Sequence, residues 1–122
     1  MTREPSVAQE EPPLFTKSYD LLLWMMAEST RFPELHRGAL VPRLQATALE
    51  MVLLIAGARY RVRERASVLE RADRRVDELR VLLRVSKDLR LLNQAKYLDA
   101  AARLREIGKM IGGWKKVPQG TG

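Results

Sequence analysis

Residues 64–89 read ERASVLERADRRVDELRVLLRVSKDL and place apolar side chains at Leu69, Ala72, Val76, Leu79 and Leu83. The steps alternate between three and four, which is the heptad seam of a helix packed lengthwise on other helices. Alternation of the kind a strand needs is absent from this stretch, so it fixes an all-α reading from which the rest follows.

Toward the C-terminus, Asn93 is a suitable cap for a further helix carrying Leu98, Ala101, Ala102, Leu104, Ile107 and Ile111 inward, which Gly112 and Gly113 are expected to stop. Gly108 inside that helix costs about 1 kcal/mol relative to alanine, so a missing side chain should allow close approach there, with Gly112 one turn on and Trp114 covering the bundle end. Toward the N-terminus, a helix begins between Leu35 and Pro42, since proline is tolerated in a first turn, and buries Leu44, Ala48, Met51, Val52 and Ile55. Before it, residues 15–29 form a helix with Thr16 as cap. Leu14, Tyr19, Leu22, Leu23 and Met26 lie on one side, and Leu21, Trp24 and Met25 widen the apolar arc. Short connections make neighbours antiparallel, which predicts an up-down four-helix bundle over residues 14–114 between flexible tails at 1–13 and 115–122.

The apolar arcs of the first two helices exceed the third of a circumference that a bundle core requires. The excess suits either a subunit interface or a helix buried on all sides. The most apolar run, residues 46–58, falls short of the ~20 residues of a bilayer span and contains Glu50, so no membrane partner is expected.

The chain has 122 residues, 22 Lys+Arg against 15 Asp+Glu, and a formal net charge of +7. Polyanions are therefore the first partners to consider. Absence of cysteine excludes disulfides and thiolate chemistry and fits a cytoplasmic protein. Residues 59–75 contain seven arginines (Arg59, Arg61, Arg63, Arg65, Arg71, Arg74, Arg75) and three acids, a local excess of four positive charges. If the second helix ran on through them, Arg59 and Arg63 would face nearly opposite Arg61 and Arg65, making a basic collar. Such a collar either relieves a helix C-terminal dipole or binds phosphate, for which bidentate guanidinium groups are suited. Arg80, Arg84 and Lys87 line a second strip beside the seam, where Asp77 offers Arg80 an ordinary exposed ion pair.

Catalysis finds little support. The single histidine, His36, has no triad arrangement around it, no Glu-x-x-His motif accompanies Glu50, and no glycine-rich loop follows a strand. No metal or other cofactor is expected.

The runs SYDLLLW (18–24), Phe32-Pro33, RADRRVDELRVLLRVSKDLRLLN (71–93) and EIGKMIGGW (106–114) together resemble the four-helix-bundle family of Avd, the accessory variability determinants of diversity-generating retroelements. The resemblance implies a non-catalytic homopentameric barrel that binds a retroelement reverse transcriptase and RNA, and possibly DNA, in support of mutagenic retrohoming. It carries a binding role to Arg80 and Arg84, which match the family's Leu-Arg-x-x-Leu-Arg motif through Leu79-Arg80 and Leu83-Arg84. The same bundle occurs in proteins encoded by intervening sequences of ribosomal RNA, which implies as the alternative a structural oligomeric scaffold without a reverse transcriptase. Arg90 stands where relatives often have glycine.

Overall fold

The heptad seam is the spine of the bundle. The computed structural model describes residues 12–117 and contains, in order, α1 (Pro13–Ser29), a 3-10 turn (Glu34–His36), α2 (Leu40–Tyr60), α3 (Arg65–Asp88) and α4 (Gln94–Lys115). No strand occurs among the described residues. The tails expected at 1–13 and 115–122 lie mostly outside the described residues, although Pro13 and Lys115 belong to helices. Helix α1 packs on α2 and α4, and α3 packs on the same two, so the four form a square with α1 diagonal to α3.

Leu69, Ala72, Val76, Leu79 and Leu83 are all buried, as are Leu44, Ala48, Met51, Val52 and Ile55 of α2. Pro42 sits in the first turn of α2, where its missing N–H is not needed. Asn93 caps α4 by accepting a hydrogen bond from the Lys96 amide at 2.8 Å.

Helix α1 departs from the sequence reading. It starts at Pro13 and has no side-chain cap, so Thr16 is inside the helix. Its buried stripe is Leu14, Ser18, Leu21, Leu22, Met25 and Ser29, leaving Tyr19 and Leu23 exposed. Two serines hold core positions because each hydroxyl donates to its own helix, Ser18 to the Phe15 carbonyl at 2.9 Å and Ser29 to that of Met26 at 3.4 Å. Ser86 and Thr47 are buried by the same device.

In α4 the buried stripe is Ala100, Leu104, Ile107 and Ile111. Leu98 is 53% exposed and Ala102 is exposed, because Leu98 precedes Leu104 by six residues and falls about 120° away around the helix. Gly112 and Gly113 do not end the helix. Neither adopts a left-handed conformation, and the helix continues to Lys115, whose ammonium pairs with Glu70 at 2.9 Å and Asp73 at 3.4 Å.

Helix α2 has 21 residues and is long and apolar enough, by length and composition, to cross a membrane, in contrast to the shorter run visible in the sequence. In the bundle it serves as a core helix through Met51, Val52, Ile55 and Ala58. Its outward side is also apolar, with Leu49 42%, Leu53 60% and Tyr60 76% exposed. It is therefore not buried on all sides within one chain.

The α3–α4 turn closes with a Schellman arrangement. The Leu91 amide donates to the Ser86 carbonyl at 2.8 Å and the Arg90 amide to that of Lys87 at 2.9 Å. Arg90 occupies the left-handed position with φ 65°, the only non-glycine residue with positive φ among those described. Relief of about 1 kcal/mol of steric cost by Arg90→Gly exceeds the added chain entropy by a few tenths. The expected outcome is a melting temperature raised by about one to two degrees in a circular dichroism melt. A lowered value would show that the Arg90 side chain contributes more than its backbone costs.

Registers place one end of every helix together. Gln45 donates to the Ser29 hydroxyl at 2.8 Å, and sixteen residues along each antiparallel helix bring Pro13 level with Arg61. Trp114, one residue from the end of α4, meets Arg65 at the start of α3. This pole gathers the beginnings of α1 and α3 and the ends of α2 and α4.

Candidate nucleic-acid interface

The arginine-rich stretch falls at that pole, and it is not helical throughout. Helix α2 stops at Tyr60, Arg61 is its C-cap with φ −109° and ψ 73°, and a turn through residue 64 leads into α3. The Arg61 amide donates to the Gly57 carbonyl at 3.1 Å and the Glu64 amide to that of Arg61 at 3.1 Å. The opposed pairs expected of a continuous helix therefore do not form: Arg59 ends α2, Arg61 and Arg63 stand on the connection, and Arg65 opens α3.

Their engagements differ. Arg65 is a structural clasp: Nε donates to the Ala58 carbonyl at 2.9 Å and Nη2 to the Arg59 carbonyl at 3.1 Å. These are orphan acceptors at the end of α2, and a cation there also meets the negative end of the helix dipole. The same guanidinium lies 5.0 Å from the centroid of the Trp114 ring, tying the turn to α4. Trp114 thus covers this bundle end, in line with its position in the sequence. Arg59 lies 5.5 Å from the Tyr60 ring centroid. Arg75 bridges helices, reaching Glu50 of α2 at 3.4 Å and Glu78 at 2.6 Å.

Arg61, Arg63 and Arg71 are exposed and make no side-chain ion pair among the described residues. Arg61 and Arg71 line, with Arg75, a groove of about 420 Å³ between α2 and α3, floored by Leu53, Leu54, Gly57 and Val68 with Glu50 on its wall. Arg74 is exposed beside Glu70. The Glu70 carboxyl is held below its ordinary range first by the hydrogen bond from Lys115, then by the charges of Lys115 and Arg74. The Lys115 ammonium is correspondingly held above its usual value by that hydrogen bond. The acids Glu70 and Asp73 are therefore already occupied by Lys115, which leaves less to neutralise the arginines above them.

On the second strip, Arg80 pairs with Asp77, Arg84 with Asp88 at 3.7 Å, and Lys87 with Asp88 at 3.6 Å. These are exposed pairs of adjacent turns or neighbouring residues, worth about 0–1 kcal/mol each and easily exchanged for another anion. Lys87 also lies 4.9 Å from the Tyr97 ring centroid. The strip and the turn are separate surfaces along α3.

One residue of this region escaped the sequence reading. Arg105 of α4 faces Arg80 across a recess, and the signal was the four-residue spacing of Tyr97, Ala101 and Arg105 on one side of α4. His36 lies half-buried in the 3-10 turn between α1 and α2, at the pole opposite the arginine-rich turn.

No curated protein matches the sequence. The model of one family, described as bAvd-like, matches residues 14–117, which takes in all four helices and both basic surfaces. With the bundle, the third-helix motif and this match in agreement, the chain belongs to the bAvd-like family.

Proposed function

We propose that the protein is a non-catalytic accessory subunit of a diversity-generating retroelement. It assembles with copies of itself, as a pentamer by family resemblance, and binds a reverse transcriptase and template RNA or cDNA through its basic surfaces. The observation that carries the nucleic-acid half is the α2–α3 turn, where Arg61, Arg63 and neighbouring Arg71 stand exposed without ion pairs among the described residues while many cations elsewhere are paired. Guanidinium groups held on a short turn offer bidentate contacts to successive phosphates, and aromatic rings for base stacking are few beside them. Self-association is supported by the outward apolar side of α2.

The test is fluorescence anisotropy of a labelled structured RNA titrated with the protein at low and moderate salt. Saturable binding is expected, with log affinity falling against log salt at about 0.9 per phosphate contacted. Absence of binding even at low salt would remove the nucleic-acid role and favour the scaffold reading, in which the apolar face of α2 is the functional surface and the arginines are solvated.

A further inference from the structure

Between α3 and α4 lies a recess of about 220 Å³ lined by Arg80, Leu83, Tyr97, Ala101, Leu104 and Arg105. It is smaller than a site for a whole small molecule, so it suits one group of a larger ligand. Its floor is apolar and its two walls each carry a guanidinium, one from each helix.

Arg80 reaches this place because of a glycine. Its Nη1 donates to Asp77, while its Nη2 would lie 3.1 Å from a Cβ at Gly108 and the Val76 methyl would lie at 3.8 Å. A side chain at position 108 therefore crowds the guanidinium rather than a helix backbone. Gly112, one turn on, has nothing within 4 Å of such a Cβ, so the close approach expected from the glycine spacing is confined to Gly108. Glycine in the middle of a helix is unfavourable by itself, and here its bare face is what lets Arg80 lie against α4. Arg105, exposed opposite, makes no ion pair among the described residues.

We propose that Arg80 and Arg105, with Gly108 positioning Arg80, form a notch for a single phosphodiester of a polynucleotide backbone. The proposal rests on the nucleic-acid reading above and gives it a second point of contact. Two guanidinium groups facing each other across a narrow recess repel until an anion sits between them, and a phosphodiester has an oxygen to offer each wall. The apolar floor takes the adjoining sugar. Lys87, beside Tyr97 on the same seam, continues the line of cations along α3. Breaking the exposed Asp77 pair to turn Arg80 fully toward phosphate costs little.

Because Gly108 carries no charge, the notch can be tested without altering the electrostatics of the chain. A labelled single-stranded RNA oligonucleotide is titrated by anisotropy at two salt concentrations against the parent and the variants Gly108→Ala, Gly108→Gln, Arg105→Ala and Arg80→Ala/Arg84→Ala, each with a thermal melt. Gly108→Gln and Arg105→Ala should weaken binding by about fivefold to tenfold and lower the salt slope by about one unit. Gly108→Ala should have a smaller effect in the same direction, since Arg80 need give only a few tenths of an ångström. Both glycine variants should melt at or above the parent. Parent-like binding by the Gly108 and Arg105 variants, with Arg80→Ala/Arg84→Ala still impaired, would overturn the notch and leave the functional reading intact. Parent-like binding by Arg80→Ala/Arg84→Ala would overturn the notch and the binding role of the strip together, while absence of binding by the parent would remove both the notch and the nucleic-acid reading.

Discussion

Alanine at Arg61, Arg63 and Arg71 together is expected to weaken binding of a structured RNA by about a hundredfold to a thousandfold near 0.1 M salt. Each phosphate held by a cation contributes about 0.9 to the slope of log affinity against log salt, so removing three such cations at that concentration weakens binding by nearly three orders of magnitude. The slope itself should fall by about two to three units, a readout that general loss of folded protein would not reproduce. Stability should change little, because these side chains are exposed and unpaired among the described residues. Arg65→Ala would be a poor substitute for this experiment: it uncaps α2 and removes the stacking on Trp114, so a loss of affinity would be confounded with a disordered turn. An affinity within a few-fold of the parent for the triple variant would exclude the turn as the main binding surface.

The second large effect concerns assembly. If the chain self-associates as proposed, Leu49→Glu combined with Leu53→Glu should leave it monomeric in sedimentation velocity, with the helical circular dichroism signal retained. The two leucines sit one turn apart on the outward side of α2 and remain 42% and 60% exposed in the single chain, so charge there is tolerated by the monomer. Buried across a subunit interface, an unpaired carboxylate at position 49 would cost several kcal/mol, and the one at position 53, although it meets the groove of Arg61, Arg71 and Arg75, would still replace apolar contact with charge. A parent chain that sediments as a monomer would refute self-association, and a double variant that remains oligomeric would move the interface off this face.

Much of the bundle was legible because α3 and the second half of α4 state their periodicity without interruption. Helix α1 was harder. Ser18 and Ser29 read as surface letters but are buried, since a hydroxyl can satisfy itself on its own helix, and the apolar Tyr19 and Leu23 then read as inward residues in their place. The break after Tyr60 was hidden as well, because no glycine or proline marks it and the clasp that closes it, Arg65 on the carbonyls of Ala58 and Arg59, is a tertiary interaction between neighbours in space. The arginines themselves were plain in the sequence. Their differing availability was not, since Arg75 is occupied by Glu50, which lies on another helix, and Arg105 joins Arg80 only through the packing of α3 on α4.

The gathering of four helix ends at one pole has a consequence for valence. Rotation about an axis running with the helices would repeat that pole once per copy, always on the same rim, so a cyclic particle would have two chemically unlike faces. A short oligonucleotide would meet one arginine turn, whereas a strand long enough to bridge adjacent copies would gain avidity without any new interaction per copy. Apparent affinity would then climb in steps with ligand length, and the step length would measure the spacing between subunits.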